Sequence, residues 1–319
     1  MATPDAFAPV AITRRSGFDE SIHFGAVVGL SSSGEIEFSV GDASTPIYPR
    51  SSNKPMQAVA MARAGLQLPP ELLALVCASH DGTPMHTAAA RRILATAGLD
   101  ERSLANTADL PLDDAAAEAV LRAGGGPTPL QMNCSGKHSG MVVTSAINNW
   151  PTDASYLTPD HPLQLHITTT IDDLAGEDHR HIGVDGCGSP AHVISLTGLA
   201  RAFRAIATGS AGEAGDQVYT AMTTHPAMVG GDGRDVTHFM GLVPGLMAKD
   251  GADGVFAAAL PDGRAVALKI ADGANRARPP VMVAALRALG LDVSALEPLV
   301  VQWVLGHGRH VGEVRAIAP

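Results

Sequence analysis

The chain has 319 residues, of which 45% are hydrophobic and 17% charged, the composition of a soluble globular protein. Its length suits one large domain or two closely packed lobes, because single cores stop growing at about 250–300 residues. A formal net charge of −10 without any run of Lys or Arg argues against nucleic acid or an anionic membrane as a partner.

Gly and Pro are frequent but scattered, so no low-complexity segment stands out. The start, Met1-Ala2-Thr3-Pro4-Asp5, has neither the basic region nor the apolar stretch of a signal peptide. No run of about 18 apolar residues reads as a membrane span. Cys77, Cys134 and Cys187 do not make a disulfide framework. These features read as a cytoplasmic enzyme with reduced thiols.

In chain order, residues 25–30 and 35–40 read as a β-hairpin, the second arm alternating polar and apolar. An apolar helix follows over 56–64. Thr83-Pro84 opens a further alanine-rich helix that Gly98 stops. Helical patterns recur over 112–123, 160–175, 191–207 and 279–289. Residues 254–260 and 264–270 form a second hairpin turned by Pro261-Asp262-Gly263. Strands at both ends and helices between them predict an α/β (α+β) fold, with a mostly antiparallel sheet built from both termini and flanked by helices. The helical middle lobe spans roughly 84–210. With no internal repeat and no linker, residues 1–319 read as a single catalytic unit.

Ser51 and Lys54 lie three apart just before the apolar helix, so a helix starting there sets both on one face of its first turn. A serine hydroxyl is a weak nucleophile and needs a base; a lysine serves if burial or a nearby cation lowers its pKa. The helix start adds positive potential for a developing oxyanion. Alone, S-x-x-K is more often a helix cap than a catalytic pair. Ser79 follows a short apolar helix, in Cys77-Ala78-Ser79-His80-Asp81-Gly82. Lys269 sits in the otherwise apolar strand Val266–Ile270, an expensive place to bury an unpaired charge, and echoes the K-T-G strand of β-lactamases. Asn133-Cys134-Ser135-Gly136-Lys137-His138 and Asp185-Gly186-Cys187-Gly188 place two cysteines in glycine-containing turns. They could share a metal, form a disulfide or be small buried residues.

These blocks occur in one order: Arg50-Ser51-Ser52-Asn53-Lys54-Pro55-Met56-Gln57, Ser79-His80-Asp81-Gly82, Asn133 to His138, Asp185 to Gly188, and Leu268-Lys269 with Asp272-Gly273. Arg15-Ser16-Gly17 and Glu20-Ser21-Ile22-His23 precede them. Together they resemble the Rhizobium-type L-asparaginase II family across nearly the whole chain, the Asn-Cys-Ser-Gly-Lys-His block being the most specific piece. The resemblance implies a fold similar to serine β-lactamases and glutaminases, and hydrolysis of L-asparagine to L-aspartate and ammonia. It implies two Ser–Lys tandems, Ser51 with Lys54 and Ser79 with Lys269, and a zinc site of Cys134, Lys137 and Cys187. Arg50, His138 and Asp185 match positions that contact substrate or metal, and the family suggests a homodimer. Lys137 can ligate only when deprotonated, so this site must lower its pKa. Asp81 departs from the small residue usual before that glycine. The alternatives are a hydrolase of a related amide, glutamine or β-lactam-like, and a catalytically silent amino-acid- or zinc-binding protein on the same fold.

Overall fold

The computed structural model describes residues 4–319. The N-terminal sequence read as lacking a signal peptide lies partly outside them. The chain opens with β1 (Ala8–Arg15), β2 (Phe18–Leu30), β3 (Ile36–Val40) and the short β4 (Pro46–Ile47). Helices α1 (Lys54–Arg63), α2 (Pro70–Val76), α3 (Pro84–Ala95), α4 (Asp114–Arg122), α5 (Ser135–Ile147) and α6 (Pro162–Ala175) follow. After β5 (His181–Val184) and β6 (Pro190–Ser195) come α7 (Leu196–Ala207), α8 (Glu213–Thr224), α9 (Pro226–Val229) and α10 (Asp235–Leu242). The chain closes with β7 (Met247–Gly251), β8 (Val255–Ala259), β9 (Ala265–Ile270), α11 (Arg278–Ala288), β10 (Val301–Gly306) and β11 (Arg309–Ala316).

The main sheet is antiparallel, in the order β10-β11-β1-β2-β9-β8-β7, with β3 also paired to β2. It is built from both ends of the chain, as the sequence predicts. Both expected hairpins form: Val27 pairs Val40 across the first and Val255 pairs Lys269 across the second. The central strands are buried on both faces, which explains why β8 and most of β9 read as unbroken apolar runs. Helices α7 and α11 both pack against them. Helices α1, α2, α3, α5, α6 and α8 pack on one another beyond the β7 end, and one continuous buried cluster joins these helices to the sheet.

One expected element is corrected. The helix predicted over 191–207 is strand then helix: Pro190–Ser195 pairs with β4 and β5 in a second, three-stranded sheet, and α7 starts only at Leu196. Every residue of β6 is buried, so no alternation marks it as a strand. Ser195 ends it and caps α7 by accepting the Gly198 N–H at 2.9 Å. Among the described residues no helix is long and apolar enough to cross a membrane.

Candidate active site

Residues Arg50–Asn53 form a 3₁₀ turn that runs directly into α1 at Lys54. Arg50 enters it with φ +52°, a left-handed conformation uncommon outside glycine and a local strain held by the surrounding structure. Its guanidinium donates to Asp185 at 2.8 Å and to Asp253 at 3.1 Å. Two of the residues expected to contact substrate, Arg50 and Asp185, therefore bind each other, tying the serine turn to the Cys187 loop. Ser51 is partly exposed, and its hydroxyl makes no hydrogen bond among the described residues. Ser52 is buried and donates to the Lys249 carbonyl at 3.0 Å.

Lys54 is 1% exposed. Its ammonium donates to Ser79 Oγ at 3.0 Å and to the Ala78 carbonyl. Ser79 is held by backbone: its N–H donates to Val229 O, the His80 N–H to Asn133 O and the Asp81 N–H to Gly230 O. The start of α5 sits so close under α2 that a Cβ on Gly136 would collide with the Leu75 carbonyl. The serine of the second tandem thus meets the lysine of the first.

Lys269 does not complete that tandem. Its ammonium donates to the Asp253 and Ile270 carbonyls, and β9 is separated from the serine turn by β8 and β7. The lysine whose strand lies against the turn is Lys249, on edge strand β7, where its carbonyl accepts from Ser52 Oγ at 3.0 Å and its ammonium points to Asp250. A Cβ on Gly251 would lie 2.8 Å from Ser52 Oγ and 3.0 Å from Ser52 N, and would clash with Pro49 O, so only glycine lets β7 lie this close. Lys249-Asp250-Gly251 is itself a K-x-G pattern, the signal that could have singled it out.

Lys249 is fully buried. Burial pushes its pKa down to about 8 against the pull of Asp250, and the nearby positive charge of Lys54 adds to the fall. Its ammonium donates to Asp250, which also pairs with Arg234 at 3.2 Å and Arg278 at 3.5 Å. Burial opposes ionisation of Asp250, but Lys249, Arg278 and Arg234 outweigh it and hold its pKa far below the usual carboxylate range. Arg234 reaches Asp81 at 3.4 Å, and Arg278 reaches Asp235 at 2.8 Å.

Cys134 and Cys187 are free and buried. With Met132 they form their own small cluster. Lys137 Nζ donates to Cys187 Sγ at 3.1 Å and to Ser189 Oγ at 2.6 Å. Cys134 and Lys137 hold the Cys187 thiol pKa far down despite burial, and Cys134 is held up in turn by Cys187 and by burial. Burial opposes the Lys137 charge, but the two cysteines prevail and its pKa is raised, not lowered. A metal here must therefore displace the Lys137 proton. Among the described residues no group of three or more His, Cys, Asp or Glu side chains is placed to hold a metal, so such an ion must draw on Lys137. His138, fully buried with its pKa pushed to about 4 by burial and Lys137, bonds Tyr156 Oη through Nδ1 and leaves Nε2 without a partner. The Cys134 and Cys187 thiols and the Lys137 amine would hold a zinc ion only once that amine has lost its proton.

The L-asparaginase II family profile matches residues 11–316. The chain belongs to the L-asparaginase II family. This asparaginase II family member is accordingly an amidohydrolase. Among solved structures it is similar to Mglu in its native form, over 89% of this chain and 69% of that one, at 15% identity and a TM-score of 0.45. It is also similar to a β-lactamase from Mycobacterium bovis, over 84% of this chain and 95% of that one, at 15% identity and a TM-score of 0.35. No curated protein matches it.

Proposed function

We propose that this protein hydrolyses the side-chain amide of L-asparagine to L-aspartate and ammonia, with Ser51 as nucleophile. The observation that carries this reading is the buried Lys54–Ser79 contact of 3.0 Å, with the partly exposed Ser51 in the turn that runs into Lys54, in a chain of this family. Ser79 is buried at 6% exposure against Lys54, whereas Ser51 is partly exposed, and the more accessible hydroxyl is taken as the nucleophile.

Two lysines close enough to repel favour a state in which one of them is neutral, and the fall of Lys249 to about 8 supplies that state in mild alkali. Ser51 Oγ attacks the carboxamide carbon and its proton passes to the neutral lysine. The start of α1 lends positive potential to the tetrahedral oxyanion. The Lys54–Ser79 pair delivers a proton to the departing nitrogen, ammonia leaves, and water cleaves the β-aspartyl ester to release aspartate. Zinc held by Cys134, Lys137 and Cys187 would supply a fixed positive charge that orders the two cysteine turns.

The substrate is tested by the relative kcat/KM on asparagine, glutamine and a chromogenic β-lactam. A pocket resolves one methylene by about tenfold or more, so asparagine should lead glutamine by at least that factor. Glutamine or the β-lactam leading by a similar factor would overturn the substrate assignment while leaving the amidohydrolase.

A further inference from the structure

Asp81 lies two residues beyond Ser79, and its carboxylate is turned away from that serine into the charge network behind Lys249. Backbone directs it there: the Asp81 N–H donates to Gly230 O at 2.8 Å, and the side chain rests against Gly231. Gly231 has φ +141°, and a Cβ there would occupy the space of the Asp81 carboxylate. Arg234 then spans two carboxylates, Asp81 at 3.4 Å and Asp250 at 3.2 Å. Three acids (Asp81, Asp235 and Asp250) thus balance three cations (Lys249, Arg234 and Arg278) in one connected network.

We propose that Asp81 is a positioning residue that acts through Arg234 and Asp250 to set how readily Lys249 exchanges its proton. The charged and titratable groups around Lys249 are Asp250 on its own strand, Lys54 from α1, Arg234 ahead of α10, Cys77 after α2, and Arg278 of α11 acting through Asp250. Asp81 offsets the charge of Arg234. Without that offset Arg234 disfavours the Lys249 ammonium, and without Arg234 the two freed carboxylates favour it. The two deletions therefore act in opposite directions, which a merely structural role for Asp81 does not produce.

The proposal rests on Lys249 being a proton-transfer group of the amide hydrolysis, and the two are tested separately. The measurement is the pH dependence of kcat/KM for ammonia release by wild type, Asp81→Asn and Arg234→Met. The ascending limb should move to lower pH in D81N and to higher pH in R234M, each by about half to one unit, as expected for a charge several ångströms away in a partly screened interior. An NMR titration of the lysine Cε resonance that is missing in Lys249→Met reads the same shifts if a variant folds but loses activity. Either limb staying at the wild-type pH, or both moving the same way, overturns the proposal. Loss of the limb's dependence on Lys249, with K249M as active as wild type, overturns the mechanism instead.

Discussion

Gly251→Ala puts the placement of β7 to the test. Its new Cβ would stand 2.8 Å from Ser52 Oγ and 3.0 Å from Ser52 N. Ordinary carbon contacts begin near about 3.5 Å, so β7 and the serine turn must separate by more than roughly half an ångström. Overpacking of this kind costs about 1–3 kcal/mol of stability. A misplacement of about 1 Å at a reacting centre can cost a hundredfold in rate, so kcat should fall by about tenfold to a hundredfold. The assay is ammonia release together with a thermal melt. A lower Tm with a disproportionately lower kcat is expected. Wild-type kcat in a variant of unchanged Tm would refute the claim that β7 abuts the catalytic turn.

Two further outcomes follow from the same geometry. Lys249 is protonated below its pKa of about 8 and must lose that proton to act as a base, so kcat/KM should rise with pH through about 8; a profile flat from pH 6 to about 9 would remove Lys249 from that role. Cys134→Ser should abolish bound zinc in protein purified with the metal while the far-UV circular dichroism stays native; full zinc occupancy in that variant would place the ion elsewhere.

Much of the fold was legible because its signals are local. The hairpins at 25–40 and 254–270 carry period-2 patterning or a Pro-Asp-Gly turn, and α3 and α6 carry proline at their first turn. The strand β6 was not legible, since burial on every side erases the alternation that separates strand from helix. Thr83 occupies the N-cap of α3 as its sequence suggests, yet its hydroxyl bonds His86 rather than the helix backbone. Ser51, Lys54 and Ser79 were visible as motif residues, and the structure adds that Lys54 belongs with Ser79. The sequence points to Lys269 as the second lysine, because it stands out in an otherwise apolar strand, and the K-x-G pattern at Lys249 is passed over. The strand order, which puts β7 at the edge and β9 two strands inside, separates the two. The network joining Asp81 to Lys249 draws on segments more than 150 residues apart in sequence, which no local pattern encodes.

The most direct test of the account is ammonia release from L-asparagine by Lys249→Met beside Lys269→Met, with wild type as reference. K249M should lose nearly all turnover while remaining folded, and K269M should retain most of it. An active K249M beside an inactive, folded K269M would contradict the assignment of the catalytic lysine.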